Sequence, residues 1–257
     1  DFNTLNFGGR REDGTTPYRL GDQDLSLFFG QSSFSQYVVT RASNAVVVDP
    51  EVDLTLLGPL GCGIQTGSGT VLNRLKPVIG ESIVVFGCGA VGLSAIMAAK
   101  LTGCSQIIAV DIHASRLALA GELGATHQIN GKEQDAVALI KQITGKGAHY
   151  AVETTGVSAI VLQAVHAVKP LGTVAIVGFT GDITFNVQND LMAEGKSLVG
   201  VIEGDAVPAL FIPLLVQQYK QGKFPIDKLI VRYPLADINQ AFADSASGKV
   251  IKPVVVM

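Results

Sequence analysis

From residue 82 onward the chain alternates short apolar runs with longer stretches whose apolar residues recur at helical spacing. The runs are rich in Val and Ile, as suits strands buried on both faces of a sheet, and they predict strands over residues 82–86, 106–111, 127–129, 150–153, 173–177 and 198–202. The stretches between them predict helices over 90–102, 115–123, 133–144 and 158–168, each stopped by a glycine or a Lys-Pro pair. Strand–helix–strand rhythm of this kind builds a parallel sheet with right-handed crossovers, and six strands complete a doubly wound α/β layer that binds ligands beyond the carboxyl ends of its strands.

The segments on either side lack this rhythm. Residues 36–40 and 45–48 alternate apolar with polar positions or run short and apolar, and they predict small antiparallel strands. Near the other end, 235–243 predicts a helix and 252–257 a closing strand. The simplest organisation is one flanking domain, residues 1–63 and 203–257, interrupted by a nucleotide-type fold over 64–202. The chain opens at Asp1 on a loop-like polar run, which suggests that a preceding part is missing.

Composition narrows the function classes. Hydrophobic residues make up 47% and charged residues 16% of the chain, which is globular rather than disordered. A net charge of -3 without a dense Lys/Arg cluster argues against nucleic acid as a partner. Every apolar stretch is interrupted before the roughly 20 residues needed to span a bilayer, so no membrane partner is expected. Three cysteines, an odd number without framework spacing, and the lack of a signal-peptide pattern fit a reducing cytoplasm.

The strongest local signal is Gly87-Cys88-Gly89-Ala90-Val91-Gly92, between a predicted strand and a predicted helix. Gly87 permits the tight turn, Gly89 lets a diphosphate approach the backbone, and Gly92 lets helix and strand pack closely; Ala90 and Val91 open a helix whose N–H groups face the anion. Asp111 ends the second strand, where a carboxylate accepts from ribose hydroxyls and repels a 2′-phosphate, so NAD is expected over NADP. Arg116, one helical turn on, is a candidate for the same ribose; a solvated helix face is the bland alternative. In Gly58-Pro59-Leu60-Gly61-Cys62-Gly63-Ile64-Gln65-Thr66-Gly67, a lone Cys62 stands at the junction of flank and nucleotide fold, where a cofactor's reactive ring would emerge. An inert buried thiol is the competing reading.

Taken in order, Gly61-Cys62-Gly63, Thr66-Gly67, the glycine fingerprint, Asp111 and Glu153-Thr154-Thr155-Gly156 resemble the zinc-dependent medium-chain alcohol dehydrogenases. Phe28-Phe29-Gly30-Gln31-Ser32-Ser33-Phe34, Glu203-Gly204-Asp205, Phe211-Ile212-Pro213, Gly222-Lys223-Phe224-Pro225 and Ile251-Lys252-Pro253 are similar to the aryl-alcohol (benzyl-alcohol) branch, and the likeness runs from Asn6 to Met257. The resemblance implies a Rossmann domain inserted in a partial, mostly β GroES-like catalytic domain. It implies that Cys62 is a catalytic-zinc ligand, that Thr66 and Val91 hold the nicotinamide part of NAD, that Thr154 and Val177 also bind the cofactor, and that Lys252 meets the cofactor diphosphate. It also implies a homo-oligomer, dimer or tetramer, paired through the strand at 198–202.

The family's other zinc ligands, its Ser/Thr proton relay and its four-cysteine loop precede Asn6 in family order and are absent. The four histidines, His113, His127, His149 and His166, lie in the nucleotide fold; there is no Cys-x-x-Cys or His-Glu-x-x-His pattern. The resemblance implies zinc-assisted hydride transfer from a primary aryl or allylic alcohol to NAD, giving the aldehyde, with Phe28, Phe29 and Phe34 as candidate pocket walls. Two alternatives stay open: a zinc-free quinone or enoyl reductase of the same superfamily, and an NAD-binding piece without catalysis.

Overall fold

A computed structural model describes residues 8–11, 13–28, 34–38 and 40–257. A small antiparallel pair comes first, β1 (Arg19–Leu20) with β2 (Gln23–Asp24). Helix α1 (Gly63–Gly69) follows and continues into a π-helical turn, Thr70–Leu75. Then come β3 (Ser82–Phe86), α2 (Ala90–Thr102), β4 (Gln106–Asp111), α3 (Ala114–Leu123), β5 (His127–Asn130), α4 (Ala136–Thr144), β6 (Ala148–Glu153), α5 (Ser158–Ala167), β7 (Val168–Ile176) and β8 (Ser197–Gly200). Helix α6 (Pro208–Lys220), β9 (Ile230–Pro234), α7 (Ile238–Ala246) and β10 (Lys252–Val256) complete the chain, with β10 and β9 paired in parallel.

The six central strands form one parallel sheet in the order β5-β4-β3-β6-β7-β8. This is the doubly wound α/β architecture expected from the alternation, and β8 lies at a sheet edge. Successive strand residues face opposite ways, so the sheet separates two cores. Ile83, Val85, Ile107 and Val152 join one core, with Leu93, Ile96 and Met97 of α2. Val84, Phe86, Ile108 and Val174 join the other, with Ile140 of α4 and Val165 of α5. Both flanks lie on the α2 side: Leu60, Ile64, Phe211, Leu215 and Phe224 belong to that core.

Two expectations fail in the first flank. Among the described residues of 36–40 and 45–48 there is no strand; the segment carries a 3-10 turn, Ala42–Asn44, instead. Val46 and Val48 pack against the core without a ladder partner, because apolar alternation selects a buried face but does not supply a neighbouring strand. At the other end, the helix expected over 235–243 begins as a 3-10 turn, Leu235–Asp237, and becomes α-helical over Ile238–Ala246.

Helix α1 is the element that sequence propensity opposes. Its seven residues include three glycines, a poor helical composition. The glycines are demanded by contact: a Cβ on Gly67 would lie 1.9 Å from Val91 O in α2, and one on Gly69 would lie 2.4 Å from Gly204 O. Ser68 Oγ and Thr70 Oγ1 donate to the carbonyls of Ile64 and Thr66, both at 2.7 Å, so their hydroxyls are satisfied inside the helix. Tertiary packing thus overrides local preference. Gly67→Ala is expected to destabilise the protein by about 2–3 kcal/mol, a fall in Tm of about 5–10 °C in differential scanning calorimetry; an unchanged Tm would show that the two helices are not so tightly opposed.

Candidate active site

The sheet order reverses between β3 and β6, and a crevice opens there beyond the strand ends. Gly87 takes φ +91 as it leaves β3, and its N–H donates to Val110 O at 2.8 Å. Thr154 Oγ1 donates to Phe86 O (2.8 Å) and Gly87 O (3.1 Å), pinning this turn to the end of β6. A Cβ on Gly92 would meet Gly87 O at 1.8 Å, whereas one on Gly89 would meet nothing within 4 Å. Gly92 therefore serves packing, and Gly89 leaves an open approach to the backbone. No side chain caps α2, whose first residues are Ala90, Val91 and Gly92, so the electropositive end of the helix faces the crevice.

Asp111 closes one side of the crevice and is only 8% exposed. Its Oδ2 accepts from Cys88 N at 2.6 Å and its Oδ1 from His113 N at 2.9 Å, so the carboxylate also fixes the glycine loop. Arg116 stands on α3 nearby; its buried Nε has no hydrogen-bond partner. A Cβ on Gly248, beyond α7, would come within 2.9 Å of the Arg116 guanidinium, so the second flank closes over this arginine.

On the other side of the reversal lies a cavity of about 470 Å3 lined by Phe28, Cys62, Gly63, Thr66, Val91, Thr154, Thr155, Val177, Gly178, Phe179, Val201, Ile202 and Glu203. Five sequence-selected residues, Cys62, Thr66, Val91, Thr154 and Val177, thus share one pocket, while Gly87, Gly89, Ala90, Gly92, Asp111 and Arg116 cluster around the adjoining crevice. Cys62 precedes α1, with its Sγ 3.9 Å from Glu203 Oε1. Burial, then the charge of Glu203, push its thiol above the usual range; Lys252, at the start of β10, pulls the other way. Cys88, in the glycine loop, is wholly buried, and burial drives its thiol far upward, so it is no nucleophile.

One expectation needs adjusting. Phe28 lines the pocket, but Phe34 packs edge-to-face on Phe242, with ring centroids 5.8 Å apart, and is no pocket wall. Phe29 lies outside the described residues. His149 Nδ1 accepts from Ser82 N at 3.1 Å and pairs with Ser82 Oγ at 2.8 Å near the start of β3, at the opposite end of the sheet from the pocket.

Two carboxylates were given no role by sequence reasoning. Glu203 Oε2 accepts from Gln65 Nε2 (3.0 Å) and Thr66 Oγ1 (3.3 Å). Glu153, at the end of β6, is fully buried, and its Oε1 accepts from Thr155 N (2.6 Å), Thr155 Oγ1 and Gly156 N. The available signal was an acid at the end of a strand that otherwise reads as core. Among the described residues no three His, Cys, Asp or Glu side chains converge as a metal site, so Cys62 is a single thiol donor and these residues do not hold zinc by themselves.

Comparison with known proteins adds to this geometry. Residues 90–217 match the family model described as zinc-binding dehydrogenase. The chain is 43% identical to a geraniol dehydrogenase from Castellaniella defragrans, over 98% of this chain and 69% of that protein. It superposes on a crystal structure of benzyl alcohol dehydrogenase from Acinetobacter calcoaceticus with a TM-score of 0.91 and 48% identity, covering 99% of this chain and 70% of that one. An alcohol dehydrogenase zinc-binding domain protein from Burkholderia ambifaria gives a TM-score of 0.94 and 50% identity, covering 100% and 70%.

Glu153→Gln puts an amide NH2 among groups that all donate to the carboxylate. It is expected to destabilise the protein by about 1–3 kcal/mol in urea unfolding; a neutral result would mean that the 154–156 turn does not depend on this acid.

Proposed function

This chain belongs to the zinc-binding dehydrogenase family, among the alcohol dehydrogenases, and from that premise we propose that it serves NAD-dependent oxidation of small primary alcohols, aryl or allylic, to aldehydes. The observation that carries this reading is the placement of a buried acid, Asp111, and an apolar pocket on opposite sides of one open glycine. An extended dinucleotide with its diphosphate against Gly89 has its adenosine ribose at Asp111, beyond β4. Its nicotinamide then falls in the pocket beside Val91, Thr154 and Val177. In this reading residues 64–202 bind the cofactor, while 1–63 and 203–257 belong to the catalytic domain.

Bound NAD would supply a hydride acceptor. The substrate alcohol would lose a hydride from its carbon to that acceptor and a proton from its oxygen to solvent, giving the aldehyde. The protein's part is to hold the reacting carbon within roughly 3–3.5 Å of the acceptor and to keep water away. Val91 and Val177 line the pocket, and Phe28, Phe179 and Ile202 add an apolar lining suited to an aromatic or isoprenoid alcohol. Thr154, tied to Phe86 O and Gly87 O, keeps the pocket in register with the loop. Lys252, whose charge reaches Cys62, and Arg116 are the cations assigned to the diphosphate and the ribose. Cys62 is the ligand this chain would contribute to zinc; since the described residues do not complete that site, no step is assigned to the metal. Pairing of two chains along the β8 edge belongs to the same reading.

Asp111→Asn keeps an acceptor for Cys88 N but removes the charge. It is expected to narrow the preference for NAD over NADP by about tenfold in titration calorimetry, the scale of one charge–charge repulsion near a protein surface; unaltered affinity for both cofactors would place the ribose elsewhere. Gly89→Ala is expected to leave Tm unchanged, since the methyl group meets no protein atom, while weakening NAD binding at least about tenfold by occupying the diphosphate approach. Full NAD affinity in that variant would remove the support for this reading.

A further inference from the structure

The turn Glu203-Gly204-Asp205 lies in the left-handed region at three consecutive residues, with φ of +50, +68 and +49. Two of these carry side chains, so the backbone is strained where it borders the pocket. Contacts with α1 and the turn after it hold the conformation. A Cβ on Gly204 would lie 2.4 Å from Gln65 O, Asn73 Nδ2 donates to Gly204 O at 3.0 Å, and Arg74 Nε pairs with Asp205 Oδ2 at 2.6 Å. The result is a fixed carboxylate. Glu203 accepts from Gln65 and Thr66 and, at 3.9 Å, from the Cys62 thiol, all neutral donors, and among the described residues no Lys, Arg or His forms a salt bridge with it. Among the side chains that line the pocket it is the one carboxylate, and there is no Lys, Arg or His.

A preorganised negative charge in a mostly apolar wall favours an occupant that brings positive charge. Gln65, only 2% exposed, helps to hold the carboxylate: its Nε2 donates both to Glu203 Oε2 and to Gly61 O, each at 3.0 Å, which ties the acid to the turn before α1. We infer that Glu203 is a specificity-determining residue that distinguishes the oxidation states of the cofactor, acting as counter-charge to the cationic nicotinamide ring of NAD+ and offering nothing comparable to the neutral ring of NADH. This rests on the reading that the pocket takes the nicotinamide end. Its consequence lies in product release. Once the ring has accepted a hydride it loses its charge, and with it the attraction that held it, so the reduced cofactor is released more readily.

The test is the ratio of Kd values for NADH and NAD+, measured by titration calorimetry on the protein and on Glu203→Gln in chelator-treated buffer, so that neither metal nor turnover enters. The amide variant is expected to weaken NAD+ about tenfold while changing NADH less than about twofold, as loss of one charge pair at a few ångströms implies. Parallel weakening of both cofactors would reduce Glu203 to a structural clamp and overturn the inference, as would no change in either. Glu203→Asp, which keeps the charge but draws it back by one methylene, is expected to give an intermediate ratio, and it decides the matter if the amide variant does not fold; an unchanged ratio there counts against the charge. Failure of the unsubstituted protein to bind either form would instead bring down the cofactor reading itself.

Discussion

The close approach of α1 to α2 is the constraint on which the site depends. Gly67 lies so near the Val91 carbonyl that no side chain fits between the helices. That contact sets Cys62 and Thr66, at the start of α1, beside the first turn of α2, the same turn that follows the open Gly89. Helices separated by ordinary side chains stand 8–10 Å apart. Here glycine brings the flank's chemistry and the nucleotide loop into one pocket, at the cost of helical propensity in α1.

A second regularity is that the site's carboxylates are held by neutral donors. Asp111 takes two backbone N–H groups, Glu153 takes backbone and hydroxyl donors from its own turn, and Glu203 takes an amide and a hydroxyl from α1. Such bonds orient a charge without cancelling it, as a neighbouring lysine or arginine would. Asp111 and Glu203, which border the crevice and the pocket, therefore do structural work without being neutralised by those bonds, whereas Glu153 is fully buried within its own turn. Asp111 and Glu203 stand on opposite sides of the glycine loop, so an elongated ligand spanning the crevice meets negative charge near each end and the positive pole of α2 between them.

The strand–helix alternation after residue 82 was sufficient to reveal the doubly wound sheet, because the inner strands β3, β4 and β6 are buried on both faces and hydrophobic burial leaves a direct trace in the sequence. The glycine fingerprint was equally legible, since the left-handed turn at Gly87 and the close approach at Gly92 can be met by few residues other than glycine. Helix α2 occupies the predicted residues 90–102, and β3 and β4 likewise match their predicted bounds.

What the sequence left undecided was long-range. Glycine-rich α1 reads as a loop until α2 and Gly204 are placed on either side of it. The strands expected at 36–40 and 45–48 were drawn from a pattern that specifies a buried face and says nothing about a ladder partner. Glu203 stands 141 residues from Cys62 in sequence, and no local pattern could bring its carboxylate to that thiol. The sequence by itself determined the sheet, its crossovers and the glycine turn that leaves the backbone at Gly89 open, all of them consequences of burial and dihedral restriction acting over a few residues. The tertiary structure alone decided which charges and side chains face one another across the pocket, because those distances follow from how helices and flanks pack, and packing depends on shape between segments far apart in the chain.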